Sequence, residues 1–188
     1  ERAKQEKTEK RRDIGNLIEH ALGYIYVQEA ASMIPPIVLE PQPGEVILDM
    51  CAAPGSKTTQ IAQYMHNKGL LIANDMTYQR IQALGINVQR CGITNTVVTQ
   101  MYGHWFRGFQ FDRILLDAPC SGTGTIRKSI KTLMMWNRAG IRQLAGQQRQ
   151  LIDVAFQNLK PGSILVYSTC TFAISASTCR RPRFAWSS

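Results

Sequence analysis

The chain has 188 residues and a formal net charge of +9. That length favours a single domain with a sizeable core, and an apolar fraction of 44% excludes a disordered chain. No apolar run reaches the roughly 18 residues of a membrane span, and the charged N-terminus lacks a signal-peptide core, so we expect an intracellular protein with no membrane partner. The basic excess favours nucleic acid as a partner, although it can also serve solubility alone.

Residues 1–13 carry ten charges of both signs and predict an exposed helix or a linker. The next segment, 14–40, is mixed apolar and predicts a helix that runs through Met33. Pro35 and Pro36 then interrupt the chain.

From residue 46 onward, predicted strands alternate with predicted helices. The strands are Val46–Met50, Gly69–Asp75, Thr96–Met101, Phe111–Asp117 and Ser163–Ser168, and the helices are Ser56–Asn67, Thr77–Arg90 and Ile141–Leu159. This alternation is typical of βαβ units and predicts an α/β fold with a mostly parallel sheet.

The loop after the first strand has features of a cofactor site. It reads Cys51, Ala52, Ala53, Pro54, Gly55, Ser56 and Lys57. Small residues allow a ligand to approach the backbone, and the following helix offers free N–H groups. Neither the G-x-G-x-x-G pattern nor a P-loop is present, so phosphate binding is not favoured.

Asp75 lies about 20 residues after this loop, at the end of the second predicted strand. An acid at such a position commonly accepts hydrogen bonds from ribose hydroxyls, although Asp75 could instead cap a helix. A ribose-bearing cofactor without a phosphate loop points to S-adenosylmethionine.

Two cysteines follow apolar runs that read as buried strands. Cys120 lies in the sequence Asp-Ala-Pro-Cys that begins at Asp117, and Cys170 lies in Ser-Thr-Cys-Thr. Both thiols should therefore sit at strand carboxyl ends, where open α/β sheets build their sites. Two thiols near one carboxylate suggest covalent chemistry on an electrophilic ring.

The remaining cysteines suggest no further chemistry. The five cysteines form no C-x-x-C pair and the three histidines show no ligand spacing, so we expect no metal site and no disulfide framework. Cys91 is expected in the core and Cys51 as a packing residue of the loop.

Taken in order, these motifs resemble the Sun-type RNA (cytosine-5) methyltransferase family over residues 14–172. The resemblance implies a Rossmann-like class I methyltransferase fold with helices on both faces, and S-adenosylmethionine as cofactor. It also implies roles for single residues. The loop 51–57, Asp75 and Arg80 would hold the cofactor, Asp117 would be the acid of the site, Cys170 the nucleophile, and Cys120 the cysteine that assists product release.

The chain departs from the family pattern in two places. No acid occurs at Met101-Tyr102-Gly103, where the family often has one near the adenine. The tail 173–188 has no Asp or Glu and does not resemble the family's continuation, so we expect the C-terminal strands to be missing.

The implied chemistry places demands on the site. A thiol is mostly protonated at neutral pH, so Cys170 needs activation, for which Lys57 is the candidate. Asp117 would contact N3 and the exocyclic amine of cytosine, and desolvation would keep it protonated. Arg127, Lys128, Lys131 and Trp136 could grip phosphates and stack a base, or form only a mobile basic loop.

The sequence thus predicts methylation of cytosine C5 in structured RNA, with tRNA favoured over rRNA and a cytoplasmic location, or a nuclear or nucleolar one in a eukaryote. One alternative is an inactive RNA-binding fragment of such an enzyme. The other is an N-methyltransferase acting on an exocyclic amine.

Overall fold

The computed structural model describes residues 14–126, 130–134 and 136–171, without the side chains of Lys131 and Leu133. Its helices are α1 (Ile18–Ala21), α2 (Ala30–Leu39), α3 (Ser56–Tyr64), α4 (Tyr78–Arg90), α5 (Lys131–Met134) and α6 (Arg138–Gln157). Its strands are β1 (Val46–Asp49), β2 (Leu70–Asp75), β3 (Thr96–Gln100), β4 (Phe111–Asp117) and β5 (Leu159–Ser168).

The five described strands form one parallel sheet in the order β3-β2-β1-β4-β5. The prediction of a parallel α/β sheet is therefore confirmed. All the strand carboxyl ends meet at one edge of the sheet, and the chain order reverses beside β1. Ligands of open α/β sheets bind at this kind of edge.

Successive side chains along each strand point to opposite faces of the sheet, and a hydrophobic core lies on each face. On one face, Ile47 and Leu115 pack against Ile61 of α3 and against Met65, its C-cap residue. On the other face, neighbouring strand residues such as Leu48 and Leu116 pack with Val154 and Ala155 of α6. Helices therefore cover both faces of the sheet, as predicted.

The predicted end of α2 at Met33 is wrong, because the helix continues through Pro35 and Pro36 to Leu39. Prolines inside a helix remove backbone donors and are usually costly. Here tertiary contacts compensate, since Pro36 and Leu39 are buried. In addition, the Gln60 side chain donates a hydrogen bond to the Met33 carbonyl over 3.0 Å.

β5 also begins earlier than predicted, at Leu159 instead of Ser163. The pairing with β4 shifts register between Phe111 and Arg113, which accommodates extra residues of β5. Gly162, at a φ of +80°, lies in this irregular stretch. In the sequence, a glycine at this position favours a turn. We therefore predicted that the strand begins only after Gly162.

Candidate active site

A cavity of about 500 Å³ lies along the carboxyl edge of the sheet. Six of the residues predicted for the site line it: Cys51, Asp75, Arg80, Asp117, Cys120 and Cys170. These side chains come from the ends of β1, β2, β4 and β5 and from the start of α4. The sheet topology thus brings together residues that are up to 119 positions apart in the sequence.

Asp75 is the last residue of β2 and only 3% exposed. Its Oδ1 accepts a hydrogen bond from the Thr77 backbone N–H over 3.0 Å, while Thr77 itself is the N-cap of α4. Asp75 is therefore not the helix N-cap. Its Oδ2 lies 3.1 Å from Arg80 Nη1 as an ion pair, yet is buried without a well-aligned hydrogen bond. This oxygen retains capacity to accept a hydrogen bond from a ligand.

Arg80 connects Asp75 to the loop after β1. Its Nη2 donates to the Ala53 carbonyl over 2.5 Å, and its Nη1 pairs with Asp75. Arg80 thus lines the cavity, as predicted, and also fixes the position of the loop.

The small residues of the loop have a different environment from the one predicted. Ala52 and Ala53 are buried and pack against Leu84 and Val88 of α4. A Cβ on Gly55, whose φ is +109°, would lie 3.0 Å from Leu84 Cδ1. Close packing between loop and helix therefore accounts for these small residues. Of the loop, Cys51 lines the cavity at the edge of the sheet.

Asp117, the last residue of β4, is held by two donors. Lys57 Nζ lies 2.6 Å from its Oδ2, and Ser168 Oγ donates to its Oδ1 over 2.8 Å. The desolvation expected for Asp117 is not observed, since its side chain is 31% exposed and paired with a cation. Lys57 pairs with this carboxylate, whereas it was predicted to activate Cys170.

The two cysteines singled out in the sequence lie side by side, with their sulfurs 2.9 Å apart. The Cys120 loop and the end of β5 are joined by the Gly124 N–H, which donates to the Cys170 carbonyl over 2.8 Å. A Cβ on Gly124 would lie 2.9 Å from that carbonyl oxygen, so this close approach requires glycine.

The two thiols titrate as a pair. The hydrogen bond from Cys170 and backbone donors lower the pKa of Cys120 to about 6. The same hydrogen bond, together with burial and the charge on Cys120, raises the pKa of Cys170. The pair therefore loses its first proton more readily than an ordinary thiol and holds its second more tightly, so the two sulfurs can share one proton.

The other cysteines lack this activation. Burial and the nearby Asp49 raise the pKa of Cys51 to about 12, which agrees with a packing role for this thiol. Cys91 is only half-buried, so its predicted place in the core is wrong. It lies at the C-cap of α4, and a helix end leaves more of a side chain in water than the helix middle does.

A second cavity, of about 560 Å³, adjoins the first. Lys57, Glu29, Ser32 and Thr171 contribute to its walls. Asp117 and Cys170 line both cavities, so the reactive groups lie where the two spaces meet. Such an arrangement can hold two different molecules on either side of one thiol.

Asn74 was not among the predicted site residues. It is 1% exposed, and both ends of its amide form hydrogen bonds. Its Nδ2 donates to the Met50 and Met101 carbonyls over 3.1 and 3.0 Å, and its Oδ1 accepts from the Met101 N–H over 2.9 Å. Asn74 therefore ties the ends of β1, β2 and β3 together at the cavity. A polar residue inside the apolar run of β2 was the available signal.

Asp49 was also overlooked as a site residue, although it ends β1 beside the loop. It is 1% exposed, accepts from Thr58 Oγ1 over 2.7 Å, and has an Oδ1 without a partner. Burial raises its pKa to about 7. This buried acid increases the negative field around Cys51.

Some predicted features fall outside the described residues. These are Arg127, Lys128, the Lys131 side chain, the segment 1–13 and the tail 173–188. Trp136 is described and is 46% exposed. In the described part of the chain, no three His, Cys, Asp or Glu side chains are grouped as a metal site would require. Nor is any helix there long and apolar enough to cross a bilayer.

A parallel sheet with helices on both faces and a cavity at its carboxyl edge is the fold of the class of S-adenosylmethionine-dependent methyltransferases. An O-methyltransferase of this class from Thermotoga maritima shares the fold with a TM-score of 0.54 at 15% identity, over 76% of this chain and 44% of its own. At that identity the likeness concerns the fold alone.

More specifically, residues 36–179 match the family described as 16S rRNA methyltransferase RsmB/F, and the chain belongs to that family. Members of this Sun-type family use S-adenosylmethionine. The resemblance stated from the motifs is thus confirmed.

Three relatives show the range of the family. The tRNA (cytosine(49)-C(5))-methyltransferase of Pyrococcus abyssi is 53% identical over 84% of this chain and 51% of its own length. The ribosomal RNA small subunit methyltransferase F of Shewanella amazonensis is 51% identical over 84% of this chain and 35% of its own. The crystal structure of NSun6 from Pyrococcus horikoshii with SFG superposes with a TM-score of 0.80 at 38% identity, over 87% of this chain and 42% of its own. The chain spans about half or less of the length of these relatives.

Proposed function

We propose that the protein transfers a methyl group from S-adenosylmethionine to C5 of cytosine in RNA. The observation that carries this proposal is the position of the paired thiols of Cys120 and Cys170 beside Asp117, where the two cavities meet. A paired thiol can supply a nucleophile for the base, and a second thiol can assist its later release.

The residues of the first cavity fit the cofactor. Asp75 Oδ2 is buried and has no well-aligned hydrogen bond. It could therefore accept a hydrogen bond from a ribose hydroxyl of the cofactor. Cys51, Arg80 and Asp117 would complete the binding site. The rest of the loop, Ala52, Ala53, Pro54, Gly55, Ser56 and Lys57, would support it by holding Cys51 in place, since its alanines pack on α4. When bound, the cofactor supplies a methyl group on a positively charged sulfur.

In the second cavity, the residues would orient a cytosine for attack. The Cys170 thiolate adds to C6, a sulfur–carbon bond forms, and the electron pair of the C5–C6 double bond makes C5 nucleophilic. C5 then takes the methyl group. Removal of the C5 proton by a base returns the electron pair, and the bond between Cys170 and C6 breaks.

Asp117 and Lys57 would act as one unit on the pyrimidine. The carboxylate faces the base as an acceptor for the exocyclic amine, while the ammonium group of Lys57, 2.6 Å away, stabilises negative charge that develops on the ring. Protonated Asp117 is not required in this arrangement, since Lys57 supplies the positive charge.

The shared proton of the thiol pair serves both halves of the reaction. Its transfer across the 2.9 Å between the sulfurs leaves the thiolate on Cys170 for addition to C6. Cys120 holds the transferred proton during addition. Once it has given this proton to solvent, its thiolate can accept the C5 proton, and the electron pair that returns to the C5–C6 bond expels Cys170. The target base has to leave any stack to reach this point.

Among RNAs, we propose tRNA as the preferred substrate over rRNA. The Pyrococcus abyssi relative named as a tRNA methyltransferase supports this choice, while the relatives named for ribosomal RNA define the alternative. The test compares transfer of labelled methyl groups from S-adenosylmethionine to unmodified tRNA and to small-subunit rRNA. Transfer to tRNA at the higher rate is expected, and the reverse order would contradict the preference.

The same assay distinguishes an enzyme from an inactive RNA-binding fragment. Calorimetry first establishes that the chain binds S-adenosylmethionine. Cys170→Ala should bind the cofactor as tightly as the unmodified chain but transfer no methyl group, whereas Cys91→Ala should remain active. Tight RNA binding without transfer by the unmodified chain would contradict the proposed activity.

A further inference from the structure

The order of strands fixes how a methyl donor would lie in the first cavity, given the proposed function. The reactive thiols stand at the β4 and β5 end, and Asp75 stands in the middle at β2. Met101, Tyr102, Gly103 and His104 line the opposite end, after β3. A cofactor with its methyl group at the thiols and its ribose at Asp75 therefore extends its adenine toward the residues after β3.

That end of the cavity is aromatic and carries no acid. Asp75 and Asp117 are the acidic residues that line the cavity in the described part of the chain, and neither follows β3. Instead, the Tyr102 ring lies 5.4 Å from the His104 ring, tilted by 30°, and 4.9 Å from the Trp105 ring, edge to face. Tyr102 is 47% exposed, so part of its ring surface is accessible.

The backbone around these rings is held firmly. Two hydrogen bonds with Asn74, of 3.0 and 2.9 Å, clamp Met101. Gly103 packs so closely on α6 that an added Cβ would lie 2.4 Å from Leu151 Cδ2. A ring fixed in this way loses little freedom when a flat ligand stacks on it.

The geometry points to Tyr102, supported by His104 and Trp105, as the adenine platform of this enzyme. In this assignment the adenine is recognised through the face of its ring and not through a carboxylate that accepts from its amino group. Stacking is tolerant of ring substituents. The chain should therefore discriminate weakly between adenine and hypoxanthine in its cofactor.

Calorimetry with S-adenosylhomocysteine tests this assignment without an activity assay. Tyr102→Ala should weaken binding about tenfold, a loss typical of one base–aromatic contact. Tyr102→Phe, which keeps the ring, should bind within about threefold of the unmodified chain. Tyr24→Ala removes an exposed tyrosine that lines a different cavity, and it should leave the affinity unchanged.

A second ligand sharpens the test. S-inosylhomocysteine should bind within about threefold of S-adenosylhomocysteine, because a stacked ring makes no essential use of the amino group. Tyr102→Asp should introduce a preference for S-adenosylhomocysteine over S-inosylhomocysteine, because the added carboxylate can accept a hydrogen bond from the adenine amino group.

Several results would overturn the assignment. Wild-type affinity in Tyr102→Ala, or an equal loss in Tyr102→Phe, would remove the ring from recognition, and strong rejection of the inosine ligand would point to a hydrogen-bonding site. If the unmodified chain binds neither ligand, the proposed function itself fails.

Discussion

At the scale of single residues, the proposed chemistry depends on a proton that Cys120 and Cys170 share. An isolated thiol would be mostly protonated at neutral pH. Within the pair, each sulfur can donate to the other, and this contact replaces the cationic neighbour that the sequence led us to expect. Lys57 is instead committed to Asp117.

This pairing predicts an unusual pH dependence of alkylation. Because the pKa of Cys120 is lowered to about 6, its thiolate fraction should rise between pH 5 and pH 7 and level off above that. Iodoacetamide rates at the Cys120 peptide, followed by mass spectrometry, should trace this curve. In Cys170→Ala the donor is lost, so the curve should move toward about pH 8.5, the value of an ordinary thiol.

Cys51 is the internal control in that experiment. Its pKa is raised to about 12, so it should stay unmodified over the same range. Identical Cys120 curves in the presence and absence of Cys170 would show that the sulfurs do not share a proton.

Asp75 gives a second prediction at this scale. Asp75→Ala should weaken S-adenosylmethionine binding by about 1.5–3 kcal/mol, because charge-assisted hydrogen bonds to the ribose are lost. Asp75→Asn is the matched variant, since its amide oxygen can still accept from the Thr77 N–H but carries no charge. We expect it to keep the fold and lose affinity in calorimetry. Unchanged affinity in both folded variants would remove Asp75 from the site.

At the scale of elements, the strands were predictable, whereas the end of α2, the end of α3, both ends of α6 and the start of β5 were not. Buried apolar runs ended by Asp49, Asp75 and Asp117 marked the site edge of β1, β2 and β4 within a residue. The predicted end of α2 was wrong because tertiary burial overrode the local preference of its prolines. The predicted start of β5 was wrong because a register shift accommodates its glycine within the strand. Local sequence carries no record of these long-range contacts.

The junction between α6 and β5 is a testable element of the fold. Asn158 is 2% exposed, and its Nδ2 donates over 2.7 Å to both the Phe106 and Val154 carbonyls, while its Oδ1 accepts from the Phe109 N–H. Asn158→Ala should leave these backbone groups unsatisfied and lower the free energy of unfolding by about 2–4 kcal/mol.

Urea denaturation compares this variant with Gln157→Ala, which changes an exposed neighbour on α6 and should cost less than about 0.5 kcal/mol. Equal midpoints for the two variants would contradict a structural role for Asn158.

Much of the candidate site could also be predicted, but its contacts could not. The motifs placed Cys51, Asp75, Arg80, Asp117, Cys120 and Cys170 at one cavity, where the structure has them. The sequence placed both thiols near one carboxylate, but the Lys57–Asp117 ion pair between α3 and β4 and the direct contact of the two sulfurs depend on side-chain geometry that it does not specify. Asn74 was missed because its role lies in fixing backbone ends and not in a recognisable motif.

At the scale of the whole molecule, the net charge of +9 predicts a salt-dependent RNA affinity. Phosphates bound by lysine and arginine release counterions, so the logarithm of the affinity should fall linearly with the logarithm of salt concentration. Filter binding to tRNA between 50 and 200 mM salt should show a loss of about tenfold or more. A flat profile would mean that the basic charge is not engaged by RNA. Cofactor affinity should change little over the same range.

The two cavities that share Asp117 and Cys170 give the whole molecule its proposed function. In this proposal the methyl donor and the base would enter from different sides, and Cys170 would lie between them. In the proposed mechanism Cys170, and not Cys120, bonds to the base.

Trapping with RNA that contains 5-fluorocytosine tests this claim most directly, because fluorine at C5 blocks the proton removal that releases the enzyme. In the presence of S-adenosylmethionine, we expect a covalent protein–RNA complex on a denaturing gel. The peptide linked to the RNA should contain Cys170. Cys120→Ala should still form this complex, although more slowly because Cys170 loses its proton acceptor, and Cys170→Ala should not form it. A peptide linked through Cys120, or a complex that persists in Cys170→Ala, would contradict the account.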